Sequence, residues 1–234
     1  MAAPLLEITG LHAWYGESHV LHGVEAHVNE GETVTLLGRN GAGKTSTLRS
    51  IMGMVGRRSG SIRHRGAETI GLASHRIARR GIGYVPEERG IFASLSVAEN
   101  LILPPVVAAG GMSVRTIYEL FPNLLERRSS PGTKLSGGEQ QMLAIARVLR
   151  TGARLVLLDE PTEGLAPVIV QRIGETVRAL KAEGYTILLV EQNFRFAQTI
   201  ADRYYVMEDG RVVEHFTHSE LPSKMDVLHT YLGV

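Results

Sequence analysis

"TVTLLGRNGAGKT", residues 33–45, sets a short β-like run directly before Gly38-Arg39-Asn40-Gly41-Ala42-Gly43-Lys44-Thr45. The stretch satisfies G-x-x-x-x-G-K-[ST] in a strand–loop–helix setting. Its glycines let backbone N–H groups turn inward, and the helix that follows points the positive end of its dipole at an anion. Lys44 is placed to reach β- and γ-phosphates, the Thr45 hydroxyl to ligate Mg²⁺, and Ser46 to add a hydrogen bond to phosphate. The setting weighs against a glycine-rich turn with a chance lysine. Alone, the motif specifies a nucleoside triphosphate and nothing further.

Downstream, "RLVLLDEP" (Arg154 to Pro161) is an apolar strand that ends in two acids. A carboxylate at the end of a strand beside a phosphate loop is where such enzymes hold Mg²⁺, which points to Asp159. Side chains alternate along a strand, so Glu160 need not face the same atom. This suits a division of labour: Asp159 holds the metal and Glu160 polarises the attacking water. An ordinary turn or helix cap is the competing explanation. Between the two motifs, "LSGGEQQ" (Leu135 to Gln141) puts a serine and two glycines before an amphipathic helix. Ser136 can cap that helix, and Gly137 and Gly138 leave its N–H groups accessible. Two anion-binding helix starts in one chain suggest a nucleotide sandwiched between two surfaces.

The surrounding sequence predicts an α/β fold. After Gly81, the short runs "IGYV", "RLVLL", "YTILLV" and "RYYVM" alternate with helix-length segments, as in a mostly parallel sheet covered on both faces. One segment carries Met142, Ile145, Ala146 and Leu149 at helical spacing. Another runs from about Pro167 to Ala182, with proline in its first turn. The first sixty-odd residues instead alternate β-like runs with turns. Residues 88–133 hold prolines 104, 105, 122 and 131 and the pair Gly110-Gly111, and predict a small helical subdomain inserted into the core. The C-terminal "HSELPSKMDVLHTYLGV" predicts helical patches packed on the core. At 234 residues and 44% hydrophobic, one large domain with a substantial core is expected.

Composition narrows the partners. Lys plus Arg (25) nearly balances Asp plus Glu (24), which argues against a highly basic nucleic-acid-binding domain. The local arginines 57, 58, 63 and 65 predict solvated surface rather than a binding patch. Absence of cysteine excludes disulfides and Cys-ligated zinc. The start "MAAPLLEITG" lacks the basic residues and long apolar stretch of a secretion signal. No segment reaches the roughly 20 apolar residues that span a bilayer.

Taken together and in this order, the phosphate loop, LSGGEQ and LVLLDEP resemble the nucleotide-binding subunits of ATP-binding cassette (ABC) transporters over essentially the whole chain. The resemblance implies a P-loop NTPase core with an antiparallel β subdomain (together 1–87 and 134–234) and the helical insertion (88–133). It implies a cassette that binds ATP and Mg²⁺ and hydrolyses ATP. It further implies two cassettes, identical or different, pairing head to tail. Ser136, Gly137, Gly138 and Glu139 of one would face the γ-phosphate held by residues 38–46 of the other. Tyr15 matches the aromatic that stacks on adenine. Transmembrane permease subunits, and indirectly a periplasmic solute-binding protein, are implied as partners, with the chain peripheral on the cytoplasmic face of the inner membrane. A soluble ABC ATPase acting on nucleic acid or ribosomes would typically carry two cassettes or a long coiled coil, neither of which is present. A small-molecule P-loop kinase would have no use for LSGGEQQ.

Three positions depart from the commonest pattern. Glu87, in "YVPEERGIF", replaces a glutamine that links Mg²⁺ to the membrane partner, and a carboxylate can still ligate metal there. "EGLAP" (residues 163–167) puts Ala166 where the family has the aspartate used in a contact across the dimer. In "ILLVEQNF" (residues 187–194), Gln192 stands where the family has a γ-phosphate-contacting histidine. "VPE…IF", "EGLAP" and "VEQN" are together similar to cassettes of branched-chain (hydrophobic) amino-acid importers, with urea- and amide-type importers closely alike. Asn193 predicts a helix cap, and Glu191 is left as a polar strand end without an assigned role. Gln192 can donate or accept a hydrogen bond but carries no titratable proton near neutrality. Gln192→His is therefore expected to retain ATPase activity and to gain a pH dependence near neutrality, read from the pH–rate profile.

Overall fold

The chain begins with two long antiparallel strands, β1 (Leu6–Tyr15) and β2 (Ser18–Val28). In β1 the buried side chains are Leu6 and Ile8, then Leu11 and Ala13. The register slips between Ile8 and Leu11, where Gly10 has a φ of 56°, and this bulge keeps the apolar residues on one face. The next strand, β3 (Thr33–Leu37), leaves that sheet for a second one, and all five of its residues are buried. The computed structural model describes residues 3–233; the first two residues of "MAAPLLEITG" and Val234 lie outside the described residues.

After β3 comes α1 (Lys44–Ile51), then β4 (Arg57–His64) and β5 (Ala67–Glu68), which complete a four-stranded antiparallel sheet in the order β2-β1-β4-β5. Helix α2 (Ser74–Ala78) leads into β6 (Ile82–Val85). Residues 88–133 then form three short helices, α3 (Val97–Ile102), α4 (Val114–Leu120) and α5 (Pro122–Glu126). Beyond them run α6 (Gly137–Arg150), β7 (Leu155–Asp159), α7 (Pro167–Ala182) and β8 (Thr186–Glu191). The chain ends with α8 (Phe194–Ala197), β9 (Arg203–Glu208), β10 (Arg211–Thr217) and α9 (Met225–Leu232). The six-stranded sheet has the order β10-β9-β3-β8-β7-β6, parallel except for β10.

Strands buried on both faces read as continuous apolar runs, which is why β3, β7 and β8 were visible in sequence. Strand β10 was not among the runs picked out there, because "RVVEHFT" mixes charges with apolar residues at a half-exposed edge. Its signal was the turn: Asp209 and Gly210 both have positive φ (44° and 73°), the Asp-Gly preference of a tight hairpin. Helix α7 begins at Pro167 as the sequence predicts. The expected stripe of α6 is buried, with Met142, Ile145, Ala146 and Leu149 packed against Val97, Leu101, Ile117 and Phe121 of the short helices. Leu221 and Leu228 of the C-terminal segment pack with Phe194, Tyr204 and Phe216 in a third apolar cluster. The surface arginines are engaged locally: Arg57 lies over the Trp14 ring at 4.7 Å, Arg58 donates to the Val55 and Leu72 carbonyls, and Arg63 and Arg65 pair with Glu68 and Glu30.

Helix α3 starts at a capping box, with the Ser96 hydroxyl accepting from the Glu99 N–H while the Glu99 carboxylate accepts from the Ser96 N–H. One turn on, the fully buried Asn100 ties the preceding loop together. Its Oδ1 accepts from the Phe92 N–H (2.9 Å), and its Nδ2 donates to the carbonyls of Phe92, Leu95 and Ser96. Removing this side chain leaves buried backbone groups unsatisfied. Asn100→Ala is expected to cost about 2 kcal/mol or more, seen as a lower urea midpoint at unchanged m-value.

Candidate functional site

At the C-terminal edge of the parallel sheet the phosphate-loop motif wraps the start of α1. Gly43 is the residue before α1, with a φ of 101°, and no side chain caps the helix there. A Cβ on Gly43 would stand 2.8 Å from the Leu21 side chain and 3.2 Å from Gly210, so only glycine fits this left-handed position. The first N–H groups of α1 are thus left for an anion. A cavity of about 460 Å³ opens over them, lined by Asn40, Gly41, Gly43, Lys44, Thr45, Ser46, Arg49, Glu87 and Glu160, with Val20 at its side. Gly38, Arg39 and Ala42 shape the loop behind this wall, where the Ala42 N–H bonds the Arg39 carbonyl. A larger cavity of about 560 Å³ lies between α7 and α8 but holds none of this chemistry.

Lys44 is buried and folds back over its own loop. Its Nζ donates to the carbonyls of Gly38 (2.8 Å) and Arg39 (3.0 Å) and pairs with Glu160 Oε1 at 3.1 Å. Glu160 Oε2 in turn accepts from Gln192 Nε2 at 2.7 Å. Lys44, Glu160 and Gln192 therefore form one continuous polar chain. Glu160 has a φ of 45°, a left-handed conformation that costs a non-glycine residue about 1–2 kcal/mol. That turn sends the Glu160 side chain away from the direction of Asp159 and into the cavity. The sequence indicated two roles for the two acids, but nothing in it announced the left-handed backbone.

Asp159 is fully buried and carries two donors: the Thr45 hydroxyl on Oδ1 (2.8 Å) and the Tyr84 hydroxyl on Oδ2 (2.7 Å). Burial pushes its carboxyl above the usual range, and these two hydrogen bonds pull it back. Burial also pushes the Glu87 carboxyl up, with the Glu163 and Glu160 charges adding to it. Thr45 and Glu87 line the cavity, and Asp159 lies buried behind Thr45, whose hydroxyl it holds. All three offer only oxygen donors, the chemistry that suits a hard divalent cation such as Mg²⁺. Tyr84 was not singled out in sequence, since an aromatic inside "IGYV" reads as strand packing. Arg49, also unpredicted, lines the same cavity and pairs with the Glu88 carboxylate at 3.3 Å. Tyr15 lies at the end of β1, 43% exposed and outside the cavity wall.

A family model described as ABC transporter matches residues 21–163. The chain belongs to the ABC transporter family. It is 44% identical, over 98% of its length and 100% of the relative's, to the high-affinity branched-chain amino acid transport ATP-binding protein BraG of Pseudomonas aeruginosa. It is 36% identical to the lipopolysaccharide export system ATP-binding protein LptB of Escherichia coli strain K12, over 94% and 93% of the two chains. A nucleotide-free ATP-binding cassette from an ABC transporter superposes with a TM-score of 0.84 at 23% identity, over 96% of both chains, and shares the fold. The protein is thus an ATP-binding, ATPase subunit of an ABC transporter, and none of its described helices is long and apolar enough to cross a membrane.

The cassette does not bring its LSGG segment to its own phosphate loop. Ser136 is exposed, caps α6 through a capping box with Glu139, and is absent from the cavity wall along with Gly137, Gly138 and Glu139. The two glycines have unlike surroundings. Gly138 is buried, and a Cβ there would meet Ile169 of α7 at 2.8 Å, so it serves close helix packing as well as backbone access. A Cβ on Gly137 would meet only the ends of flexible side chains, Arg89 at 3.3 Å and Leu165 at 3.4 Å.

Two residues of "EQN" are resolved by their surroundings. Asn193 caps α8, accepting from the Phe196 N–H at 3.1 Å, as the sequence predicts. Glu191 is no solvent-facing strand end. It is 2% exposed, and its Oε1 accepts from the Thr162 hydroxyl (2.7 Å) and N–H (3.3 Å) while its Oε2 accepts from the Asn193 N–H (3.2 Å). Burial pushes its carboxyl up from 4.5 to about 7, against the pull of these three donors and with the Glu160 charge adding to the rise. A carboxyl raised by folding contributes stability that is complete below its unfolded value and is lost as pH rises through its folded value. The window is therefore 4.5 to about 7, and the displacement corresponds to about 3 kcal/mol. Glu191→Gln is expected to flatten this part of the stability–pH profile, so that the variant loses less stability than the wild type between pH 4.5 and about 7 in urea denaturation.

Proposed function

We propose that this cassette hydrolyses Mg-ATP as one of a pair and powers the import of branched-chain or other hydrophobic amino acids. The observation that carries the hydrolytic part is the Lys44–Glu160–Gln192 chain at the mouth of the phosphate cavity. A γ-phosphate entering that cavity competes with Glu160 for the Lys44 ammonium and frees the carboxylate. Glu160, still held by Gln192, then accepts a proton from a water molecule as its oxygen bonds to the γ-phosphorus and the bond to the ADP oxygen breaks. Lys44 and the first N–H groups of α1 stabilise the charge that gathers on the transferred phosphoryl group. Bound at Thr45, Asp159 and Glu87, Mg²⁺ would supply further neutralisation of phosphate charge.

Pairing is the reading that the family resemblance implies, and the exposed Ser136-capped start of α6, outside the phosphate cavity of its own chain, supports it: a second cassette would present this segment to the bound nucleotide. Tyr15 is exposed at the end of β1 and offers a ring face for adenine. The cargo is inferred from similarity to BraG, 44% identical over the full chain, against 36% to LptB. Membrane permeases and a solute-binding protein on the far side of the membrane complete this reading, with the chain docked at the cytoplasmic face.

The test is the complex itself, purified with the membrane subunits that accompany it and reconstituted in vesicles. Leucine, isoleucine or valine, supplied with the solute-binding protein, is expected to stimulate ATP turnover. Stimulation by urea or by lipopolysaccharide instead would redirect the assignment to those cargoes. Glu160→Gln is expected to lower kcat by about 10²–10⁴-fold with ATP affinity preserved. Turnover near the wild-type rate in that variant would remove Glu160 from the chemistry.

A further inference from the structure

The proposed chemistry gives Glu191 no task, yet its buried carboxylate holds two segments that flank the site. It ends β8, where Leu37 of β3 is its register partner on one side and Val190 pairs with Asp159 on the other. Its two oxygens grip two different chain segments. Oε1 holds the N–H and hydroxyl of Thr162, two residues beyond Glu160. Oε2 holds the N–H of Asn193, so that the chain closes into a small ring around Gln192. Between these two grips stands the 2.7 Å hydrogen bond from Gln192 to Glu160.

We propose that Glu191 is a positioning residue for ATP hydrolysis, a clamp that locks the Thr162 segment to the Asn193 segment and so fixes Glu160 against Gln192. This rests on the proposed roles of Glu160 and Gln192. The clamp has a physical reason to exist. Glu160 holds a left-handed backbone conformation that relaxes unless both of its flanks are fixed. The upstream flank is fixed by the sheet, since the Glu160 N–H donates to the Val190 carbonyl at 3.0 Å. The downstream flank is a turn, and Thr162 is its anchor. Thr162 is itself buried, and both of its polar backbone-side and hydroxyl donors go to the Glu191 carboxylate. A neutral aliphatic residue at 191 would fill the space but hold neither segment.

The experiment uses the reconstituted transporter and reads kcat and KM for ATP separately, with ATP affinity measured independently. Glu191→Ala is expected to lower kcat by about 10- to 100-fold with KM little changed, the loss that follows from a misplaced catalytic group. Glu191→Gln keeps an acceptor for Thr162 but loses the one for the Asn193 N–H, and is expected to restore part of that loss. Thr162→Val removes only the hydroxyl and is expected to lower kcat in the same direction by less. Combining it with Glu191→Ala should add nothing, because the two act through one contact. Where Glu191→Ala does not fold, Glu191→Leu, which fills the space and holds neither segment, takes its place in the same cycle with Thr162→Val. Wild-type kcat in a folded Glu191→Ala protein, no recovery with Gln, or additive losses in the double variant would each overturn the clamp. Glu160→Gln, run alongside, separates the two levels. If it turns over normally, the hydrolytic roles are wrong. If it is slow while Glu191→Ala is not, those roles stand and the clamp alone falls.

Discussion

Hydrogen-bond register in the parallel sheet is the constraint on which the site depends. Strand β3 pairs with β8 so that Leu37 meets Glu191, and β8 pairs with β7 so that Val190 meets Asp159. Three strands therefore end at one level, and each sends its next residues off the same edge. From β3 comes the phosphate loop, from β7 Glu160, and from β8 Gln192. Ligands in open α/β sheets bind beyond the carboxyl ends of the strands for this reason. A slip of one residue would turn every side chain of a strand to the opposite face and scatter the three groups.

Gathering charges at that edge is costly, and the cassette offsets the cost by partnering them. Lys44 and Glu160 are both buried, and neither would be tolerable there alone. Lys44 spends its three donor positions on two loop carbonyls and one carboxylate. Asp159 is held by Thr45 and Tyr84, and Glu191 by Thr162 and Asn193. Such a network is rigid while satisfied and sensitive to a newly arriving anion, because phosphate oxygens can replace the carboxylate in front of the ammonium. The left-handed backbone at Glu160 belongs to the same arrangement: it turns two adjacent acids to two separate sets of partners.

Much of this was legible in the sequence. Strands β3, β7 and β8 are covered on both faces and so appear as unbroken apolar runs, and α7 announces its start with Pro167. The phosphate-loop residues, Asp159 and Glu160 were legible because glycine spacing and strand-terminal acids are local patterns. The capping role of Asn193 was legible for the same reason. Tyr84 and Thr162 were not, since a tyrosine in a short strand and a threonine after a proline carry no local sign of the carboxylate each will meet. Glu191 was misleading as a polar strand end: its position in the chain was correct, and only its burial was hidden.

The sequence by itself determined the fold class, the two glycine-flanked helix starts and the membership of the ABC family. Those features are written in periodicity and in contiguous motifs, which act within a few residues. Tertiary structure alone decided which acids and amides touch. Thr45 meets Asp159 across 114 positions, Gln192 meets Glu160 across 32, and Thr162 meets Glu191 across 29. Tertiary structure also decided that the Ser136 segment caps its own helix on an exposed surface, away from the phosphate loop of the same chain. Contacts of that range depend on strand order and register, which arise from how the sheets bury one another, and no local stretch of residues contains them.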